Sequence, residues 1–206
     1  MHTLTPLLQY LRDWQAARLA STHADLLASP DCGPAAHFFI TDLYAAKNFS
    51  QRDAEVMDLY DFVRHTVPSQ FVQVLAQAIE ANELSKSLDN TMVEVMARHL
   101  GIEELFTTVQ YEEAYRLCDN YADRLRQIDL IIEVAGQVDR LRHLPLIGAA
   151  VRLTAGPAKR LGWEELYNFL KRGYEAWKPM KDARPFLETI GTREKAILNR
   201  IYRRTT

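Results

Sequence analysis

Apolar side chains recur along most of this 206-residue chain every three or four positions, the spacing of helices that bury one face. Leu7, Leu11 and Trp14 begin the first such stripe, which reaches about residue 27. Thr5 stands where a cap is needed, and Pro6 falls in the first turn, where a missing N–H is no loss. Residues 29–34, with two prolines and a glycine, read as a loop, and a short, strongly apolar helix over 37–44 follows. Ser50 with Asp53 three positions on resembles a capping box, so the third helix should start there and stop before Pro68.

Residues 69–100 are helical in pattern throughout, yet the apolar face moves. Phe71, Leu75 and Ile79 share one side, whereas Leu84, Leu88 and Val95 share nearly the opposite one. The helix therefore either changes partners midway or breaks between Asn82 and Asn90, where Asp89 can cap a new start. Gly101 supplies a C-terminal cap. Two further helices are expected over 109–118 and 121–142, the second with Ile128, Ile131, Ile132, Ala135 and Val138 facing inward and Leu144-Pro145 as its stop. A short helix should reach residue 153. Gly156-Pro157 and Gly162 then punctuate the chain before an aromatic stripe of Trp163, Tyr167, Leu170, Tyr174 and Trp177, and a last helix carries Phe186, Ile190, Ile197 and Ile201. No segment alternates with a period of two, and no Asn-Gly or Asp-Gly hairpin signal occurs. The expectation is an all-α fold, an irregular bundle of eight or nine helices, with residues 1–206 forming one domain because no linker is long or polar enough to divide them.

Composition narrows the class. Hydrophobic residues at 48% and charged residues at 25% exclude wholesale disorder, a collagen-like fibre and a disulfide scaffold. No apolar run approaches the length of a membrane span, and the first residues lack the basic and apolar regions of a signal peptide. Cys32 and Cys118 lie far apart and form no CxxC, which points to the cytoplasm and to inert thiols. The net charge of −2 conceals a division. Residues 1–151 hold 12 Lys and Arg against 21 Asp and Glu, a balance of −9, whereas residues 152–206 hold 13 against 6, a balance of +7. Such a basic end can meet the phosphates of nucleic acid, or it can attract its own acidic body. Its cations are spread along helical stripes, apart from Arg203-Arg204, which favours the internal contact.

The segment Phe38-Phe39-Ile40-Thr41-Asp42-Leu43-Tyr44 resembles the heptapeptide of the FFLEELY motif proteins, an uncharacterised bacterial group. The likeness continues through Asn48-Phe49-Ser50-Gln51-Arg52-Asp53, Leu153-Thr154-Ala155-Gly156-Pro157-Ala158 and Phe169-Leu170-Lys171-Arg172-Gly173-Tyr174. Ile40, Thr41 and Asp42 depart from the Leu, Glu and Glu of the family motif. The resemblance implies a bacterial, cytosolic protein and brings no reaction, cofactor or partner with it. Physically, Phe38, Phe39, Leu43 and Tyr44 load a short helix with apolar surface that must be covered, most simply by the core. If part of the segment meets a partner instead, Asp42 and Tyr44 are its polar handles. These five residues are the candidate interaction set.

Candidate chemistry is sparse. Asp61 with His65 and Asp139 with His143 each place a carboxylate and an imidazole four residues apart, a spacing two helices can use around a metal. Both histidines also sit just before a proline at a helix end, where dipole electrostatics accounts for them, and no metal site is expected. Asp139 differs in sharing a side with Ile128, Ile132 and Ala135, and Arg18 and Arg193 lie at or near the apolar stripes of their own helices. A carboxylate there needs a partner. Either an Asp–Arg pair ties helices together, or Asp139, His143, Arg18 and Arg193 surround a pocket that binds an anion or acts in acid–base chemistry. There is no GxSxG, Walker loop, GxGxxG, HExxH or Glu-x-x-His, so neither a catalytic residue nor a cofactor is assigned. An aromatic stripe such as that between Trp163 and Trp177 can line a pocket for haem or a fatty acid, although such stripes more often form core. The leading expectation is a non-enzymatic cytosolic module that contacts another protein. The alternatives are a small-molecule-binding or enzymatic bundle around Asp139 and, third, nucleic-acid binding through the basic C-terminal helices.

Overall fold

The computed structural model describes residues 5–43, 50–63, 69–143 and 155–203. Every regular element among them is helical, as the apolar periodicity requires, and the fold is all-α. α1 (Pro6–Thr22) starts as its sequence dictates, with the Thr5 hydroxyl accepting from the Leu8 N–H at 3.3 Å. The stripe does not run unbroken to residue 27. His23 leaves helical geometry, and α2 (Ala24–Leu27) is a separate turn. α3 (Gly33–Phe38) begins earlier than the expected 37–44 helix, absorbs the end of the supposed loop and continues as a wider π-helical turn over Phe39–Leu43. α4 (Ser50–Val63) follows.

α5 (Ser69–Leu100) is one unbroken helix of 32 residues, so the shift of its apolar face marks a change of partners and Asp89 caps nothing. As far as its middle it faces α4 and the later helix over 121–142, through Gln77 on Glu133, Gln127 on Ser85 and Lys86 on Asp53. Beyond that it packs Met92 and Met96 against α1 and the helix that follows Gly101. Gly101, at φ +63°, ends α5 in the left-handed region that favours glycine, and the Ile102 N–H returns to the Met96 carbonyl at 3.0 Å. α6 (Thr108–Leu117) opens with a capping box between Thr107 and Gln110.

α7 (Tyr121–Arg142) has the expected bounds, and Ile132 and Ala135 of the expected face pack against buried core residues. Its buried residues are Arg124, Gln127 and Leu130, and Val138 is exposed. α8 (Ala155–Leu161) contains Gly156 and Pro157 in its first turn, where a proline is tolerated, so the pair does not interrupt the chain. α9 (Glu164–Trp177) buries Leu166 and, from the expected aromatic stripe, Trp177, whereas Leu170 of that stripe is exposed. α10 (Arg184–Ile201) buries Phe186, Leu187, Ile190, Leu198 and Ile201.

Two apolar clusters result. One joins Leu7 and Leu11 of α1, Met92 and Met96 of α5, Ile102, Phe106, Tyr111 of α6 and Ile201 of α10. The other joins Ala35 and Ala36 of α3 with Trp177, Met180, Phe186, Leu187 and Ile190. α10 contributes to both, with α7 packed along it. Among the described residues, no helix is long and apolar enough to cross a membrane. Tyr44, His65, Pro68, the expected short helix up to residue 153 and Arg204 lie outside the described residues.

Candidate functional site

Members of both clusters, Tyr111 and Ile201 from the first and Trp177 and Ile190 from the second, help to line a cavity of about 1510 Å³. Protein interiors pack like molecular crystals and hold few voids larger than a water, so a space of this size is a feature of the fold. Its walls are mainly apolar, with Val74 and Ile79 from α5, Ile128 and Ile131 from α7, Phe169 from α9 and Ile197 from α10. One wall is charged. α1 supplies Arg12, Gln15 and Arg18, α5 supplies Asp89, α7 supplies Arg124 and α10 supplies Glu194.

Asp89 is buried, and its oxygens accept from Arg12 Nε at 3.2 Å and Gln15 Nε2 at 3.3 Å. Burial pushes the Asp89 carboxyl above the usual carboxylate range, although the Arg124 and Arg12 charges pull the other way. Arg124 is only 2% exposed. Its guanidinium lies 4.4 Å from the centroid of the Tyr115 ring and donates from Nη2 to the Leu88 carbonyl at 3.2 Å, while Nε has no hydrogen-bond partner among the described residues. Arg18 Nη1 meets both oxygens of Glu194, at 2.8 and 2.6 Å, and His23 Nε2 lies 3.0 Å from Oε1. Burial alone would raise the Glu194 carboxyl, but the His23 hydrogen bond and the Arg18 charge outweigh it and hold it below its ordinary range. Burial also pushes the Tyr111 and Tyr115 phenols upward, so both are neutral at physiological pH. Three guanidiniums, those of Arg12, Arg18 and Arg124, and the carboxylates of Asp89 and Glu194 thus share this wall.

The residues singled out in the sequence fall in several places. Asp139 pairs with Arg142 at 2.7 Å and lies 3.8 Å from Nε2 of His143, all at the end of α7. Arg142 in turn donates to the Met180 carbonyl at 2.5 Å, which ties this end of α7 to the segment before α10. Arg18 is on the cavity wall with Glu194, and Arg193 pairs elsewhere with Asp25 at 2.6 Å. The structure thus brings Asp139 and His143 together and leaves Arg18 and Arg193 apart from them. Within the heptapeptide, Phe38 stacks on Phe169 with centroids 5.3 Å apart, and Phe39 is buried. Asp42 Oδ1 accepts from Arg172 Nε and Nη2 at 2.9 and 2.6 Å. A Cβ on Gly173 would stand 3.0 Å from the Phe38 ring, so glycine is what lets α9 come this close. Phe38 and Asp42 are therefore turned onto α9; the side chains of Leu43 and Tyr44 lie outside the described residues. α4 reinforces this joint, because Glu55 Oε2 accepts the Leu166 N–H at 2.7 Å and caps α9 from a neighbouring helix.

A family model described as a domain of unknown function, DUF8198, matches residues 1–206. The chain belongs to this family. No curated protein and no solved structure matches it. Membership carries no activity with it, so the chemistry has to be read from the site. Among the described residues, no group of three or more His, Cys, Asp or Glu side chains is arranged to hold a metal. Cys118 is half-buried, with its thiol raised by burial and 3.8 Å from the Met92 sulfur, an environment that disfavours a reactive thiolate.

The basic end of the chain turns much of its charge inward. Arg172 meets Asp42, Arg193 meets Asp25, Lys195 meets Asp129 and Arg200 meets Glu112, all within 2.8 Å. Lys159, Arg160, Lys171, Lys181 and Arg203 stay exposed. Of the charged residues on this wall, the sequence marks Arg18 as a candidate binding residue and Asp89 only as a helix cap. The available signal was their register. Gln15 completes the four-residue series Leu7, Leu11 and Leu19, Asp89 adjoins Leu88 in the stripe of Met92 and Met96, and Arg124 precedes Ile128 and Ile131 by one and two turns.

Proposed function

We propose that this protein binds an apolar small molecule in the open-sided cavity between its helices. The observation that carries the reading is the space itself, about 1510 Å³ bounded mostly by aliphatic and aromatic side chains. Ligand sites usually occupy about 300–1,000 Å³ and combine an apolar lining with a few fixed polar groups, the composition found here. The proposal takes up the small-molecule alternative of the sequence reading and moves its polar part from Asp139 to the wall formed by α1, α5 and α7. The wall's carboxylates are engaged by guanidinium and amide groups, which suits holding a ligand better than abstracting a proton. Native mass spectrometry of gently purified protein tests this, with a stoichiometric adduct of a few hundred daltons expected. Protein that carries no adduct and also takes up no apolar fluorescent probe would overturn it.

A second reading, a non-enzymatic module acting through protein contacts, draws on Leu105 and Val109, which are 68% and 75% exposed and four residues apart. Its check is the pair Leu105→Ser and Val109→Ser. If sedimentation of the chain and recovery of any co-purifying protein match the parent, this reading falls. Nucleic-acid binding through residues 152–206 has less support, because four of that segment's cations already face acidic side chains. Both main readings place the protein in a bacterial cytoplasm, in keeping with the heptapeptide resemblance and two unpaired cysteines.

A further inference from the structure

We infer that the charged wall of the cavity receives an anionic head group on Arg124, so that the occupant is an amphiphile with a carboxylate-like end and an apolar body. The inference rests on the cavity being a binding site and adds the chemistry of what fills it. A guanidinium carries five N–H donors, and one buried away from water is costly unless most of them find acceptors. Arg124 is 2% exposed and lines the cavity, yet among the described residues it donates one hydrogen bond, to the Leu88 carbonyl. Its Nε has none but is sealed from the cavity, and the Tyr115 ring covers one face, so the terminal nitrogens are the donors a head group can reach.

The two neighbouring carboxylates do not fill this vacancy. Asp89 gives its oxygens to Arg12 and Gln15, and Glu194 gives both of its oxygens to Arg18 and one to His23 as well. With both carboxylates engaged in this way, a bound anion supplies the acceptor that Arg124 lacks. Carboxylates suit the guanidinium fork because they accept two parallel hydrogen bonds.

α7 also lays out the rest of the molecule. Ile128, Ile131 and Ala135 follow Arg124 on the same helical face, and all four residues line the cavity. Arg124 and Val138, both in the lining, are 14 positions apart, about 21 Å along a helix axis. A charged group at one end and a long apolar track beside it match the shape of an alkyl carboxylate.

The test compares three probes with one tail, dodecanoate, dodecanol and dodecylammonium, titrated calorimetrically into the full chain below their micelle concentrations. Dodecanoate should bind about tenfold or more tighter than dodecanol, the usual worth of a charged hydrogen bond, and dodecylammonium should bind weakest. Arg124→Gln should bring dodecanoate down to the level of dodecanol and leave dodecanol itself unchanged. Equal affinity of the anion and the alcohol for the parent chain overturns the head-group assignment and leaves the cavity reading standing. If none of the three binds, both fall. The comparison on the parent needs no variant and decides the charge preference even if Arg124→Gln fails to fold; a folded Arg124→Gln that keeps the parent's preference for dodecanoate overturns the choice of Arg124.

Discussion

Two aspartates, Asp42 and Asp89, are buried to similar degrees, at 7% and 9% exposure, and both answer to arginine, yet they belong to different kinds of place. Asp42 joins the π-helical turn to α9 and is closely held. Two N–H groups of Arg172 converge on Oδ1, Thr41 donates to Oδ2 at 3.1 Å, and Arg52 donates to its carbonyl at 3.0 Å. The outer side of Arg172 stays in water, with its side chain 51% exposed, so that charge keeps its solvation. Asp89 stands among groups that have little water to turn to. Its bonds to Arg12 and Gln15 are longer, and Arg124 nearby spends its one donated hydrogen bond on a carbonyl. Ions in a structural joint are satisfied by the protein itself. On a wall that faces an open space, the unsatisfied donors are the informative ones.

The largest effect expected from this contrast comes from Asp89→Ala. It leaves Arg124 buried and Arg12 half-buried with no carboxylate beside them, and removing one partner of a buried ion pair costs about 3–5 kcal/mol. Urea unfolding followed by circular dichroism measures it. Asp42→Ala should cost less, about 1–2 kcal/mol, because water can take over the half-exposed guanidinium of Arg172 once the charged hydrogen bonds are gone. If Asp42→Ala proves as damaging as Asp89→Ala, the two sites do not differ in solvation and the contrast fails.

The same two sites show what a sequence can reveal. Helix boundaries were readable where a local signal specifies them. Thr5-Pro6, Gly101 and the span 121–142 follow from capping chemistry, a required left-handed residue and sustained periodicity. Breaks decided by tertiary contacts were not readable, and His23 looks helical until its imidazole is seen turned to Glu194. The moving face of residues 69–100 was legible as a change of partner or a break, and only the neighbouring helices decide between the two. In α7 the stripe of Ile128, Ile131, Ile132 and Ala135 marks the inward side, but hydropathy passes over Arg124 and Gln127, which are more deeply buried and find their partners on α5. Arg18 was noticed because it lies near an apolar stripe. The same rule applied to Gln15, Asp89 and Arg124 would have found most of the wall. What remained hidden was that three helices bring those residues to one place.

Glu194 sharpens the comparison from within the wall, because it is a carboxylate there that is as fully engaged as Asp42. Its native carboxyl titrates below the ordinary range, so the unfolded chain takes up its proton first as pH falls. The stabilisation is therefore complete above about pH 4.3, the ordinary glutamate value, and is lost as pH falls through the lower native value. Glu194→Gln should remove this dependence, so its stability deficit against the parent, about 1 kcal/mol, should shrink as the pH is lowered from 5 toward 3. Asp89 must behave with the opposite sign. Burial raises its native carboxyl, so the unfolded chain loses its proton first, and this residue's share of stability declines as pH rises above the ordinary aspartate range. Unfolding curves of the parent, Glu194→Gln and Asp89→Asn across that window should give two difference plots of opposite slope. Slopes of the same sign would mean that Asp89 is as well compensated as Glu194, and the wall would then lack the imbalance that sets it apart from the joint at Asp42.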